Sequence, residues 1–177
     1  VARTTALITS LFVLGVMAVS MFYTDSKYFM LNQVSYVWLP NMGSSFALIL
    51  DGLTRLLCLL TALVFPVAFV MVNADRYENA NRFYALMLLT QCGLMGVFMA
   101  TDALVFYLFW ELALIPVYFL ASIWGGERRI KATFKFFIYT FLGSLFLLIA
   151  ILYLQLKTSN SSFSLVAFYN IQLSQSE

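Results

Sequence analysis

Five long apolar stretches constrain this chain more than any other feature. They occupy residues 4–22, 46–72, 83–101, 103–122 and 134–154. Each is close to the ~20 residues an α-helix needs to cross ~30 Å of hydrocarbon at ~1.5 Å per residue. The separators are polar and turn-rich, among them "YTDSKYF", "NADRYENANR" and "GGERRIK". A membrane barrel would instead show alternating segments of ~10 residues. Of 177 residues, 63% are hydrophobic and 10% charged, whereas a soluble domain carries roughly a quarter charged residues. The expected fold is an all-α, polytopic membrane helical bundle. It forms a single membrane domain over 1–177, with 155–177 as a polar connecting segment. The opening on Val1 and the final run "SLVAFYNIQLSQSE" lead us to expect a fragment, and the first stretch reads as a span, not a cleaved signal peptide.

Basic residues set the expected orientation, because positive charge near span ends stays on the cytoplasmic side. Alternating the spans places Arg3, Arg76, Arg82, Arg128, Arg129, Lys131 and Lys135 at one face and Lys27 and Lys157 at the other, with Arg55 inside the second span. The first face is therefore expected to be cytoplasmic. The longest extramembrane feature before the tail, around "WLPNMGSSF", would lie on the opposite side.

Missing residue types exclude several chemistries. There is no histidine, so neither a bis-His haem nor a His-containing zinc site is available. Cys58 and Cys92 are too few for an iron–sulfur cluster and read as small packing residues. No phosphate-binding glycine loop or nucleophile elbow appears, and the ten basic residues, divided between two faces, form no nucleic-acid patch. Any chemistry must use carboxylates, amines, hydroxyls and water.

One carboxylate stands out. In "LVFYLFWELALIPVYFLAS", Glu111 is nine residues beyond Asp102, roughly 13 Å into a helix and close to the bilayer midplane. A charge there costs ~2.5–3.5 kcal/mol on insertion scales, so such residues face protein or water and are functional candidates by default. Desolvation favours the neutral form of a carboxyl, and a group poised between its two forms can load and release a proton. Tyr107 one turn before and Tyr118 seven residues after offer hydroxyls for a hydrogen-bonded chain. Pro116 withholds the N–H that would bond the carbonyl of Leu112, freeing an acceptor beside Glu111. The alternative is a protonated Glu111 acting as a static interhelical hydrogen bond.

Lys135 is the second candidate. It either snorkels beside Lys131 or, lying within about a turn of the height of Glu111, tunes that carboxylate. Asp51 and Arg55, at i and i+4, have the spacing of a neutralised pair. Gly93, Gly96 and Ala100 are expected to let a neighbouring backbone approach the third span, and Gly143 with Ser144 to do the same on the fifth. Gln91 could hydrogen-bond a partner helix. Trp38 and Trp124 read as interface anchors, and Trp110 as a buried ring beside Glu111.

The stretch "FYLFWELALIPVYFLASIWGGERRIKATFKFFIYTFLGSLFLLIAILYL", residues 106–154, resembles the fifth and sixth transmembrane helices of the M-chain (subunit 4) family of proton-pumping NADH:quinone oxidoreductase, respiratory complex I. Weaker similarity runs back through "TDAL", "FYALMLLTQCGLMGVF" and "LDGLTRLL". The resemblance implies that the five spans correspond to that family's second to sixth helices, within an antiporter-like inverted-repeat fold. It also implies that Glu111 is the family's essential membrane glutamate, Asp102 the acidic residue at the head of the same helix, and Lys135 the lysine starting the next. The implied activity is proton translocation coupled to electron transfer from NADH to quinone. NADH, flavin, iron–sulfur clusters and quinone would be bound elsewhere in the complex and no cofactor by this chain. The implied partners are other membrane subunits, lipid and protons. The implied location is a bacterial cytoplasmic membrane, crossed several times, in preference to a mitochondrial one. A Na⁺/H⁺ antiporter or membrane-hydrogenase subunit of the same superfamily, and a structural membrane scaffold, stand as alternatives.

Overall fold

The computed structural model describes residues 2–22, 33–72, 79–158 and 162–171. Among the described residues, five helices are long and apolar enough to cross a membrane: α1 (Ala2–Ser20), α2 (Gly52–Met71), α3 (Ala80–Met99), α4 (Ala103–Trp124) and α5 (Arg129–Lys157). A sixth, α6 (Leu165–Tyr169), is a single short turn of helix near the end of the described chain. Successive long helices pack antiparallel, with α3 against α4 as the most extensive seam and α5 resting on α4. The apolar residues of α5 consequently remain largely exposed, as expected where lipid or other helices are the neighbours.

The expected second span, 46–72, needs correction at its start. Residues 33–49 form a β-hairpin in which β1 (Gln33–Leu39) pairs antiparallel with β2 (Ser44–Ile49). Leu39 and Pro40–Met42 lead into Gly43, whose φ of 73° is open to glycine at little cost and reverses the chain. β1 is rich in Val, Tyr and Trp, residues that suit a pleated strand. Helix α2 then starts because Asp51 is its N-cap: the Asp51 carboxylate accepts from the Thr54 N–H at 2.8 Å. Hydropathy alone extended the span backwards through Phe46–Ile49, since an apolar strand adjoining an apolar helix reads as one window.

Two further boundaries move. Helix α5 begins at Arg129 and runs to Lys157, because "RIKAT" continues the helix into the polar zone although it is too charged to count as lipid-facing. The 155–177 segment is not uniformly a connector, since Phe163 is fully buried and groups with Ala103 and Ile151. Residues 172–177 lie outside the described residues, as do Lys27 and Arg76 of the charge count.

Polar chemistry fastens both ends of the bundle. At one end the Arg3 guanidinium donates to the carbonyls of Val70 (2.8 Å) and Phe69 (3.4 Å), so a cation meets the carbonyl end of α2. At the other, the Thr101 N–H donates to Ala47 O (3.0 Å), the Ala103 N–H to Phe163 O (2.8 Å) and the Phe163 N–H to Gly43 O (3.3 Å). Hairpin, α4 and the α6 segment thus share backbone hydrogen bonds.

Between the ends, the expected role of the α3 glycines is met. A Cβ on Gly93 would lie 2.8 Å from the Ala113 backbone, and one on Gly96 would run into the Phe109 ring. Gly143 differs, because nothing lies within 4 Å of its Cβ position. Ala100 sits just past α3 and bridges to Leu48 of β2.

Candidate functional site

Glu111 lies at about the middle of α4, which carries it on the side turned away from the α3 seam, since Phe109 and Ala113 take that seam. Its Oε1 is buried without a hydrogen-bond partner among the described residues. A buried acceptor left unmatched costs ~1–3 kcal/mol, so such an atom calls for a partner or a role. Glu111 lines a groove of about 440 Å³ together with Trp38, Leu104, Tyr107, Leu108, Leu112 and Ile115. Every other lining side chain is apolar or aromatic. A carboxyl in such a place has one polar neighbour in its own wall, Tyr107.

Tyr107 lies one helical turn before Glu111, and its hydroxyl is within interaction range of both the Glu111 carboxyl and the Ser144 side chain of α5. Ser144 is buried, and its hydroxyl donates to Phe141 O at 2.9 Å, leaving its oxygen lone pairs as acceptors. The arrangement Glu111, Tyr107, Ser144 therefore crosses the α4–α5 interface as a row of proton-exchangeable groups. From the sequence Ser144 reads only as a small packing residue, and nothing in its local pattern marks it as the partner of Tyr107.

The remaining candidates fall in different places. Tyr118 does not join this row. Its ring contacts Phe119 (5.5 Å) and Phe137 (5.0 Å), making it part of an aromatic contact nearer the other end of α4. Pro116 is fully buried and α4 runs through it unbroken. Lys135 is exposed. With Tyr118 against Phe137 and Tyr107 facing Ser144, the antiparallel register sets Lys135 about two turns, or roughly 10 Å along the axis, from Glu111. The expected common height of the two is not found, because the short "GGER" connection starts α5 at Arg129 and carries Lys135 only two turns in. Trp110 is 41% exposed and stacks on Phe106 at 6.0 Å, so it is not the buried ring expected beside Glu111. Trp38 takes a place in the Glu111 groove that only the hairpin fold reveals.

Asp51 and Arg55 do not form the expected ion pair, and no salt bridge joins them. The Asp51 carboxyl is held below its ordinary value chiefly by the Thr54 backbone N–H, with Arg55 contributing least. Arg55 itself is 5% exposed and its Nε has no hydrogen-bond partner among the described residues. The i, i+4 spacing places the two on neighbouring turns, but the cap turns the carboxylate back onto its own helix start.

Asp102 is the most heavily bonded of the candidates. It is 1% exposed and is the N-cap of α4. Its Oδ1 accepts from Leu104 N (2.9 Å), Val105 N (3.3 Å) and Ser44 Oγ (3.1 Å), and its Oδ2 from Ser45 N (3.0 Å).

Residues 100–176 match the family described as NADH:quinone oxidoreductase/Mrp antiporter, transmembrane. The chain is 42% identical over 144 residues to NAD(P)H-quinone oxidoreductase chain 4-3 of Nostoc, an alignment that takes in 81% of this chain and 25% of that protein. It is 43% identical over 117 residues to F(420)H(2) dehydrogenase subunit M of Methanosarcina mazei, covering 66% of this chain and 24% of that one. The chain thus spans about a quarter of the length of these relatives. Its fold superimposes on a chain of respiratory complex I from Thermus thermophilus with a TM-score of 0.74 and 28% identity, over 98% of this chain and 39% of that one. A chain of the Mrp complex from Dietzia shares the fold, with a TM-score of 0.66 at 19% identity, over 95% of this chain and 21% of that one.

Proposed function

Because this chain belongs to the NADH:quinone oxidoreductase/Mrp antiporter family of transmembrane proteins, we propose that it forms part of a proton-translocating subunit of a membrane quinone oxidoreductase, with Glu111 as the proton-carrying group. The observation that carries this reading is the buried, unpartnered carboxyl oxygen of Glu111 in the middle of a membrane span. Tyr107 and Ser144 beside it supply hydroxyls that can hand a proton across the α4–α5 interface. An intramembrane carboxylate is a functional candidate by default, and proton relays are among the roles such groups serve.

Electron donor and quinone chemistry lie outside this chain on our reading. NADH, flavin, iron–sulfur clusters and quinone are carried by other subunits of the assembly, and the membrane subunits are its partners. Relatives named for NAD(P)H and for F(420)H(2) share this segment at similar identity, which fits a membrane part indifferent to the donor. In the proposed orientation the end bearing Arg3, Arg128 and Arg129 faces the cytoplasm and the hairpin faces away from it, in a bacterial cytoplasmic membrane.

Moving one charge against ~100 mV takes ~2.3 kcal/mol, equivalent to a change of about 1.7 pH units in the proton affinity of the carrier. Glu111→Gln, in the whole complex, tests the assignment. It keeps shape and hydrogen bonding and removes ionisation. The expected variant assembles normally and loses most proton-coupled quinone reduction. Normal pumping in Glu111→Gln would return Glu111 to a static hydrogen bond.

A further inference from the structure

Asp102 is more than a helix cap, because its two oxygens have different partners. Oδ1 takes both α4 amides, Leu104 N and Val105 N, together with the Ser44 hydroxyl, whereas Oδ2 takes only Ser45 N of the hairpin. Four donors converge on one buried carboxylate and tie it to both α4 and the hairpin. Capping alone would need only the first oxygen.

Both oxygens reach the hairpin, Oδ1 through the Ser44 hydroxyl and Oδ2 through the Ser45 N–H. Ser44 pairs with Leu39 and Ser45 with Val37, and the register slips between Val37 and Leu39. Trp38 is therefore the bulged residue, bracketed by the partners of the two serines that Asp102 binds. A bulge re-aims its side chain. Trp38 lines the Glu111 groove together with Leu104, Tyr107 and Leu108. Its other support is an edge contact with Phe46 (6.5 Å, 86°), and Phe46 in turn rests on Phe109 of α4 (6.1 Å).

We propose that Asp102 is a positioning residue: Oδ1 caps α4, while Oδ2, together with the Ser44 hydroxyl held on Oδ1, pins the hairpin so that Trp38 closes the hairpin-side wall of the Glu111 groove. Water is thereby kept from the carboxyl on that side, and a proton on Glu111 leaves by Tyr107 and Ser144. The proposal rests on the reading of Glu111 as the proton carrier.

Asp102→Asn separates the two oxygens. The amide oxygen can keep the three Oδ1 bonds, while the amide nitrogen opposes the Ser45 N–H, donor against donor. Ser44→Ala removes one hairpin bond and leaves the α4 amides capped, and Trp38→Ala removes the wall itself at a half-exposed position. Each is made in the complete complex. Two quantities are followed: hydrogen exchange of the 44–47 amides, and modification of Glu111 by a water-soluble carbodiimide across a pH series.

In Asp102→Asn, exchange at 44–47 is expected to rise about tenfold, the population change that follows loss of one charge-assisted hydrogen bond, with amides 104–105 unchanged. Ser44→Ala should give a smaller rise. Asp102→Asn and Trp38→Ala should both accelerate Glu111 modification and shift its pH profile in the same direction. Loss of proton translocation in Asp102→Asn with wild-type hairpin exchange and wild-type Glu111 modification would overturn the proposal and make Asp102 a carrier. Unchanged Glu111 modification in Trp38→Ala would overturn the role of the ring. The exchange arm does not depend on what Glu111 does. A loosened hairpin in Asp102→Asn beside a Glu111→Gln variant that pumps normally would overturn the proposed function and leave the clamp standing.

Discussion

Substituting Gly93 by alanine tests whether the α3–α4 seam is as tight as its geometry states. The added Cβ would stand 2.8 Å from both the Cα and the N of Ala113, and 2.9 Å from its Cβ. Carbon atoms find their optimum at ~3.5–4.0 Å, so the helices must part by about 0.7–1.2 Å. The obstruction is backbone, which cannot rotate aside as a long side chain would. Forcing one extra methyl group into a packed interior costs ~1–3 kcal/mol, a factor of about 5–150 in a two-state equilibrium. The shift would also move Phe109 and Ala113, and with them the α4 face that carries Glu111. The assay is the thermal midpoint of the purified complex in detergent, read as the loss of its intact size-exclusion peak, with Gly15→Ala as the control. Gly15 has nothing within 4 Å of its Cβ position, so that substitution should be silent. Equal midpoints for Gly93→Ala, Gly15→Ala and the unaltered protein would refute the close-contact argument. Gly96→Ala should fall between, because the Phe109 ring that it meets can turn.

Asp51→Ala should cost about 1 kcal/mol by leaving the first turn of α2 uncapped, measured as a lowered midpoint in the same assay. Folding holds the Asp51 carboxyl below its ordinary value of 3.8, so the cap's contribution is complete above that pH and disappears as pH falls through the folded-state value. The Asp51→Ala penalty should therefore be constant from about pH 5 to 8 and shrink only in acid; a penalty that changed near neutrality would contradict the cap. Arg3→Gln should lose the bonds to the Phe69 and Val70 carbonyls and destabilise by about 0.3–1 kcal/mol, seen as faster exchange at the end of α2. Lys135→Ala should leave the pH profile of Glu111 carbodiimide modification unchanged, since about two helical turns separate them. A displaced profile would show that the ammonium reaches the carboxyl after all.

The long apolar helices, their order and the mid-helix carboxyl were readable from residue order, because hydrocarbon is an unforgiving solvent. A helix that crosses it must be long, apolar and internally hydrogen-bonded, and those demands are local. The same locality explains Gly93 and Gly96, whose missing side chains advertise a close neighbour whichever neighbour it is. Asp51 followed by Gly52, Leu53 and Thr54 could have been read as a helix start, and the strand before it was hidden only because it is as apolar as the helix.

Contacts between segments distant in the chain were decided by tertiary structure alone. The Asp102 carboxylate binds Ser44 and Ser45, which lie more than fifty residues away, Trp38 enters the Glu111 groove through a bulge in strand register, and Tyr107 meets Ser144 across two helices. None has a sequence period or spacing, because hydrogen bonds and ring contacts depend on which faces meet. The same is true of Lys135. Its presence at the head of α5 is written in the sequence, but its separation from Glu111 is set by the length of the α4–α5 connection and the register in which those helices pack. Lipid as solvent thus specified which segments are helices, and the short-range directional forces between those helices specified which polar groups could act together.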